Sequence, residues 1–156
     1  MKILVCTDGS KHSEKMIEEA SEIAEDMKKV DAVTIIHTYK RKYSDTAWSL
    51  SAYNTWSEAE VELMRKQMEK LDEQENKERK KVLEAAAEVF KKKNIEVNTI
   101  LKEGHPAKTI CEVASAEGFD LIIIGSKGRG GLLGVFLGSV SNAVVQNCET
   151  NVLVVK

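Results

Sequence analysis

The 156-residue chain has the length of one domain, and 42% hydrophobic residues suit an ordinary globular core. A formal net charge of −2 gives no general attraction to nucleic acid or to an anionic membrane. No apolar run approaches the roughly 18 residues of a membrane span, and Asp8 interrupts an apolar start too short for a secretory leader, so a cytoplasmic location is expected.

In chain order, KILVCT at 2–7 is a short apolar run closed by the turn signal DGS, and reads as a first strand. Residues 13–29 place Met16, Ile17, Ala20, Ile23, Ala24 and Met27 at helical spacing. AVTIIHT at 32–38 is a second strand. Residues 39–56 hold Tyr39, Tyr43, Trp48, Tyr53 and Trp56, five of the eight aromatics, and local packing is favoured for them over a lid or a partner surface. Residues 57–93 contain no Gly or Pro and read as one long helical tract. Its apolar stripe Val61, Met64, Met68, Leu71 fails in the charged run 72–79 and resumes at Val82, Ala86, Val89 and Phe90. The second half is therefore expected on the sheet, the first as an outer helix with its own apolar edge, and the charges as a solvated face. A crossover needs only about a dozen residues, so 39–80 reads as an insertion.

IEVNTIL at 95–101 is a third strand, with Ile95, Val97, Thr99 and Leu101 on one face. Residues 106–118 form a helix opened by Pro106 and closed by Gly118. DLIIIG at 120–125 is a fourth strand, and a short helix over 139–147 precedes a last strand, NVLVVK, at 151–156. Strands alternating with helices predict an α/β fold in a single domain over 1–156, a doubly wound five-stranded parallel sheet. In the order 3-2-1-4-5 the winding reverses between strands 1 and 4. Ligands of such sheets bind beyond the carboxyl ends of the strands at that point, where Asp8 and Gly125 stand.

The three cysteines, Cys6, Cys111 and Cys148, lie far apart with no CxxC or Cys/His cluster. They are expected as buried free thiols of a reducing compartment, not as zinc ligands. His12, His37 and His105 share no metal-ligand spacing, and Ser10 and Ser13 lack a His/Asp constellation that would make a nucleophile.

Six of the nine glycines fall within 125–138, directly after the fourth strand. Glycines let a backbone approach an anion closely and turn successive N–H groups toward it. Gly138-Ser139 precedes a helix whose first N–H groups and dipole favour negative charge. Ser139 and Ser141 add hydroxyls, and Lys127 and Arg129 add positive charge. The competing reading is a plain loop followed by an N-capped helix. Neither GxxxxGK[ST] nor GxGxxG is present, since Leu133 stands where the last Gly of the latter would be.

The spacing Gly125-x2-Gly128-x9-Gly138-Ser139 resembles the nucleotide-binding signature of the universal stress protein family, ATP-binding type. ILVCTDGS at 3–10, IIHT at 35–38, the stretch 103–132 and the C-terminal 137–156 resemble the family as well. The resemblance implies a sheet of order 3-2-1-4-5. It implies that the backbone of Thr38 meets adenine and that Thr7 and Asp8 lie near ribose and phosphates, with Asp8 a neighbour of a divalent metal, Mg or Mn. Ile124 and Gly125 would border the ribose. Gly128, Gly138, Ser139, Val140 and Ser141 would hold the phosphates, aided by Lys127 and Arg129. Cys6 stands where ATP-binding members often carry Pro. The expected function is an ATP-dependent regulatory switch in stress response, homodimeric through the last strand, with no nucleic-acid or membrane partner. The alternatives are a slow ATPase or phosphotransferase, and a nucleotide-independent interaction protein using 39–80.

Overall fold

A computed structural model describes residues 1–27, 29–41, 56–128 and 137–156. The first strand, β1 (Lys2–Thr7), is buried on both faces because its residues alternate between two cores. Ile3 and Val5 join one apolar cluster, and Leu4 and Cys6 the other. This period of two is what a strand must supply when helices cover both sides of a parallel sheet.

The remaining elements follow as α1 (Lys11–Asp26), β2 (Ala32–Tyr39), α2 (Glu58–Lys91), β3 (Val97–Glu103), α3 (Pro106–Ala116), β4 (Leu121–Gly125), α4 (Ser139–Asn147) and β5 (Asn151–Val155). The five strands are parallel in the order β3-β2-β1-β4-β5, as expected. Helices α1 and α2 supply Met16, Ile17, Leu83 and Phe90 to the first cluster. Helices α3 and α4 supply Ile110, Val113, Ala114 and Val144 to the second. No helix among the described residues is long and apolar enough to cross a membrane.

Helix α2 is a single element of 34 residues, roughly 50 Å long at 1.5 Å per residue. Ser57 caps its start: the Glu60 N–H donates to Ser57 Oγ, and Glu60 Oε2 accepts from the Ser57 N–H. Its inner half rests on the sheet, as expected, through the stripe residues Ala86 and Phe90, but also through Leu83, which lay outside the stripe, while Val82 and Val89 are only half-buried. On the outer half Leu63 and Leu71 are 58% and 52% exposed. The charged run 72–79, between the two halves, is not wholly a solvated face. The Arg79 guanidinium lies 4.1 Å from the Tyr39 ring centroid, and Arg41 pairs with both Asp72 and Glu103. Arginine stacks on aromatic faces and forks onto carboxylates, so it docks a polar helix segment that apolar periodicity cannot register. Tyr43, Trp48 and Tyr53 lie outside the described residues.

The cysteine expectation is corrected for two of the three residues. Cys111 of α3 and Cys148 at the C-cap of α4 form a disulfide, with Cα atoms 5.1 Å apart across a sequence separation of 37. Spacing could not reveal it, because the two meet only when α3 and α4 pack side by side on the sheet. Cys6 is the free, buried thiol that was expected.

Candidate functional site

The site begins where the sheet parts. The ladder between β1 and β4 ends at Val5 and Ile123. Beyond it β1 continues with β2 as far as Thr7 and His37, and β4 with β5 as far as Gly125 and Val155. The two central strands therefore diverge over their last residues, opening the crevice that a reversal of winding creates. The resulting cleft holds about 470 Å³, within the usual range for small-molecule sites.

The turn after β1 is built from short polar side chains. Gly9 takes a φ of +71°, and a Cβ there would lie 2.9 Å from Val82 of α2, so both conformation and space require glycine. Ser10 caps α1, its hydroxyl accepting from the Ser13 N–H. Thr7 Oγ1 and Ser13 Oγ lie 2.6 Å apart, both buried. His37, also buried, places Nδ1 3.0 Å from Thr7 O, the satisfied histidine that its isolation implied. Asp8 is a turn residue, Oδ1 accepting from the Ser10 N–H at 3.0 Å. Its other oxygen faces the glycine loop, 2.7 Å from where a Cβ on Gly128 would stand. One carboxylate thus serves the turn and the cleft together.

Across the cleft, Ser126 and Gly138 on either side of the glycine loop are pinned. The Ser126 N–H donates to Val155 O at 2.6 Å, and the Gly138 N–H donates to Ser126 O at 2.7 Å. Ser141 Oγ lies 3.2 Å from Ser126 O and 3.0 Å from Gly138 O and shares its one O–H between them. The Ser141 hydroxyl therefore clamps Ser126 and Gly138, the two described ends of the loop. The first intrahelical bond of α4 runs from Asn142 N–H to Gly138 O. Ser139, Val140 and Ser141 thus carry the N–H groups that a helix leaves outside its own ladder, and Gly138 offers no side-chain cap.

The described residues expected in the site line this one cleft. Thr7 and Asp8 come from the end of β1, Thr38 from the end of β2, and Ile124 and Gly125 from β4. Lys127 and Gly128 follow β4, and Gly138, Ser139, Val140 and Ser141 open α4. Arg129 lies outside the described residues. Cys6, which stands where ATP-binding members often carry Pro, also lines the cleft, and four further lining residues were not singled out as cleft residues by sequence: Ser13, Met16, Pro106 and Ile110. The helical steps from Ser13 to Met16 and from Pro106 to Ile110 were signals that each pair shares a face. Burial pushes the Cys6 thiol up to about 12, so it stays protonated and acts as a small apolar wall. Asp8 is the one carboxylate lining the cleft among the described residues.

The arrangement offers apolar walls at Met16, Ile110, Ile124 and Val140, and a rim of backbone N–H groups with a lysine. This suits a flat apolar body attached to an anion. The model of the universal stress protein family matches residues 1–156. The universal stress protein YxiE of Bacillus subtilis is 32% identical over 155 residues, covering 99% of this chain and 98% of its own. The solved structure of protein MJ0577 superposes with a TM-score of 0.75 at 26% identity, covering 99% of this chain and 94% of that one. A universal stress protein of Archaeoglobus fulgidus, solved in complex with dAMP, shares the fold at a TM-score of 0.62 and 21% identity, covering 100% and 98%. With the family model matched end to end and a relative so similar over its whole length, the chain belongs to the universal stress protein family.

Proposed function

We propose that the cleft binds an adenine nucleotide, ATP above all, and that the protein is a nucleotide-dependent switch in stress response. The observation that carries this reading is the α4 N-terminus. Ser139, Val140 and Ser141, whose N–H groups lie outside the helix ladder, line the cleft together with Gly128 and Asp8, and Met16, Ile110 and Ile124 give it apolar walls. Phosphates suit such N–H groups and an adenine suits such walls. The dAMP complex of the Archaeoglobus fulgidus relative supports an adenine ligand. A single carboxylate beside phosphates fits Mg²⁺, which keeps several waters and takes few protein ligands. Asp8 would hold it, and the ion would neutralise phosphate charge. Mass spectrometry of ligand released from purified protein, followed by calorimetry with ATP and Mg²⁺, tests the reading. No bound nucleotide and no measurable ATP affinity would overturn it.

Turnover is expected to be slow. Phosphoryl transfer needs a positioned nucleophile and dense charge stabilisation, and Asp8 is the only carboxylate lining the cleft among the described residues. Hydrolysis should fall far below the enzyme median of about 10 s⁻¹. A phosphate-release assay reaching that median, with the rate lost on Asp8→Asn, would make the protein an ATPase instead.

The last strand lies at the sheet's edge, with β4 as its neighbour and Val152, Leu153 and Val154 only partly buried. An apolar edge invites pairing with another chain, and two such edges meeting antiparallel close at a dimer. Light scattering should therefore give a dimer, and Val154→Pro, verified as folded by circular dichroism, should give a monomer. A monomeric wild type would refute the edge pairing. A dimer that survives in the folded variant would move the interface elsewhere, and the exposed Leu63 and Leu71 of α2 are the apolar surface that favours this second reading.

A further inference from the structure

We propose that Cys111 and Cys148 are a reversible thiol–disulfide pair that sets the ligand affinity of the cleft, oxidation strengthening it; the nucleotide readout rests on the ATP reading above. The bridge joins the two helices that wall the cleft on one side of the sheet. Cys111 directly follows Ile110, which with Pro106 brings α3 to the cleft. Cys148 is the C-cap of α4, whose opposite end presents Ser139–Ser141 to the same cleft. A helix of nine residues is roughly 13 Å of stiff rod, so fixing one end fixes the direction of the other. The ring closed by the bridge also encloses β4, Gly125, Gly128 and the Ser126–Gly138 clamp. Every N–H group assigned to phosphate therefore sits inside one covalent loop.

Cys111 and Cys148 are half-buried, whereas the free Cys6 is only 7% exposed. The oxidant required is a low-molecular-weight disulfide such as oxidised glutathione. A thiolate of the pair attacks it, one glutathione thiol leaves, and the second protein thiolate displaces the other. Two protein thiols lose two electrons and two protons, and one small disulfide becomes two thiols. Reduction reverses the exchange. A tethered α4 holds its N–H groups in place before the ligand arrives, and such preorganisation raises affinity. By linkage, a bound nucleotide must protect the bridge against reduction by the same factor.

The test is ATP calorimetry on wild-type protein oxidised with glutathione disulfide and on the same protein reduced with dithiothreitol, with Cys111→Ser/Cys148→Ser alongside. Amide exchange of residues 137–141 is followed in both redox states. The oxidised form should bind about tenfold more tightly, within the usual range of coupling between sites. The double variant should match reduced wild type under either treatment, and the 137–141 amides should exchange faster on reduction. Equal affinities in the two states overturn the proposal, as does mass spectrometry that finds three free thiols after oxidation. If neither form binds ATP, the nucleotide reading fails and the exchange data decide the coupling: faster exchange on reduction supports it, and unchanged exchange overturns it. Reduced wild type carries no substitution, so misfolding of the double variant does not obscure the result.

Discussion

Gly128→Glu should lower ATP affinity by more than about a hundredfold, a loss of about 2.7 kcal/mol or greater. A side chain at this position meets Asp8 first, since its Cβ would stand 2.7 Å from Asp8 Oδ2. That carboxylate is held on its other side by the Ser10 N–H, so yielding would cost the turn its bond. Glutamate then adds a second negative charge where phosphates are expected, and like charges in a low-dielectric cleft repel strongly. Gly128→Ala separates the two effects. It brings the steric conflict without the charge, and its loss should be about tenfold. Calorimetry on folded variants measures both. Equal affinity in wild type and Gly128→Glu would place the phosphates elsewhere.

Phe90→Ala should destabilise the fold by about 3–5 kcal/mol, the usual cost of emptying a buried aromatic site. Phe90 is fully buried, and it anchors the inner end of α2 in the cluster shared with α1, β1 and β2. Its carbonyl also accepts the Lys93 and Ile95 N–H groups that turn the chain toward β3. Leu71→Ala on the same helix is the control. Leu71 is 52% exposed, and its loss should stay within about 0.5 kcal/mol. Urea denaturation followed by circular dichroism reads both. Equal midpoints for the two variants would refute the division of α2 into an anchored and an outer half.

The parallel sheet covered on both sides was legible because β1 and β4 are apolar on both faces, whereas its strand order rested on the family resemblance. The cleft was legible for a related reason. Asp8 and Gly125 stand at strand ends, where winding alone brings them together. The lining residues on α1 and α3 were harder to read, because their apolar side chains follow the same period as core residues. The roles within the glycine segment were half legible. Composition identifies hydroxyls near an anion site, but not that Ser141 spends its O–H on Ser126 and Gly138. The disulfide was illegible, since its partners are 37 residues apart and meet through tertiary packing alone. The docking of Arg79 on Tyr39 was hidden too, because a charged run gives no sign of which guanidinium turns inward.

Helix α2 also makes a lever. Val82 stands against the turn at Gly9, the residue next to Asp8, so the helix passes close to one end of the cleft. From Val82 to Glu58 the helix runs on for roughly 36 Å at 1.5 Å per residue. With the inner end anchored at Phe90, about 12 Å beyond Val82, a tilt of about 4° corresponds to less than about 1 Å at Val82 and carries the distal tip, about 48 Å from that anchor, through about 3 Å. The Glu62–Arg65–Glu69 ion pairs brace the far arm along its length. A sub-ångström displacement of the Asp8 turn, too small to alter any surface near the cleft, would thus be magnified at the exposed leucines of the outer half.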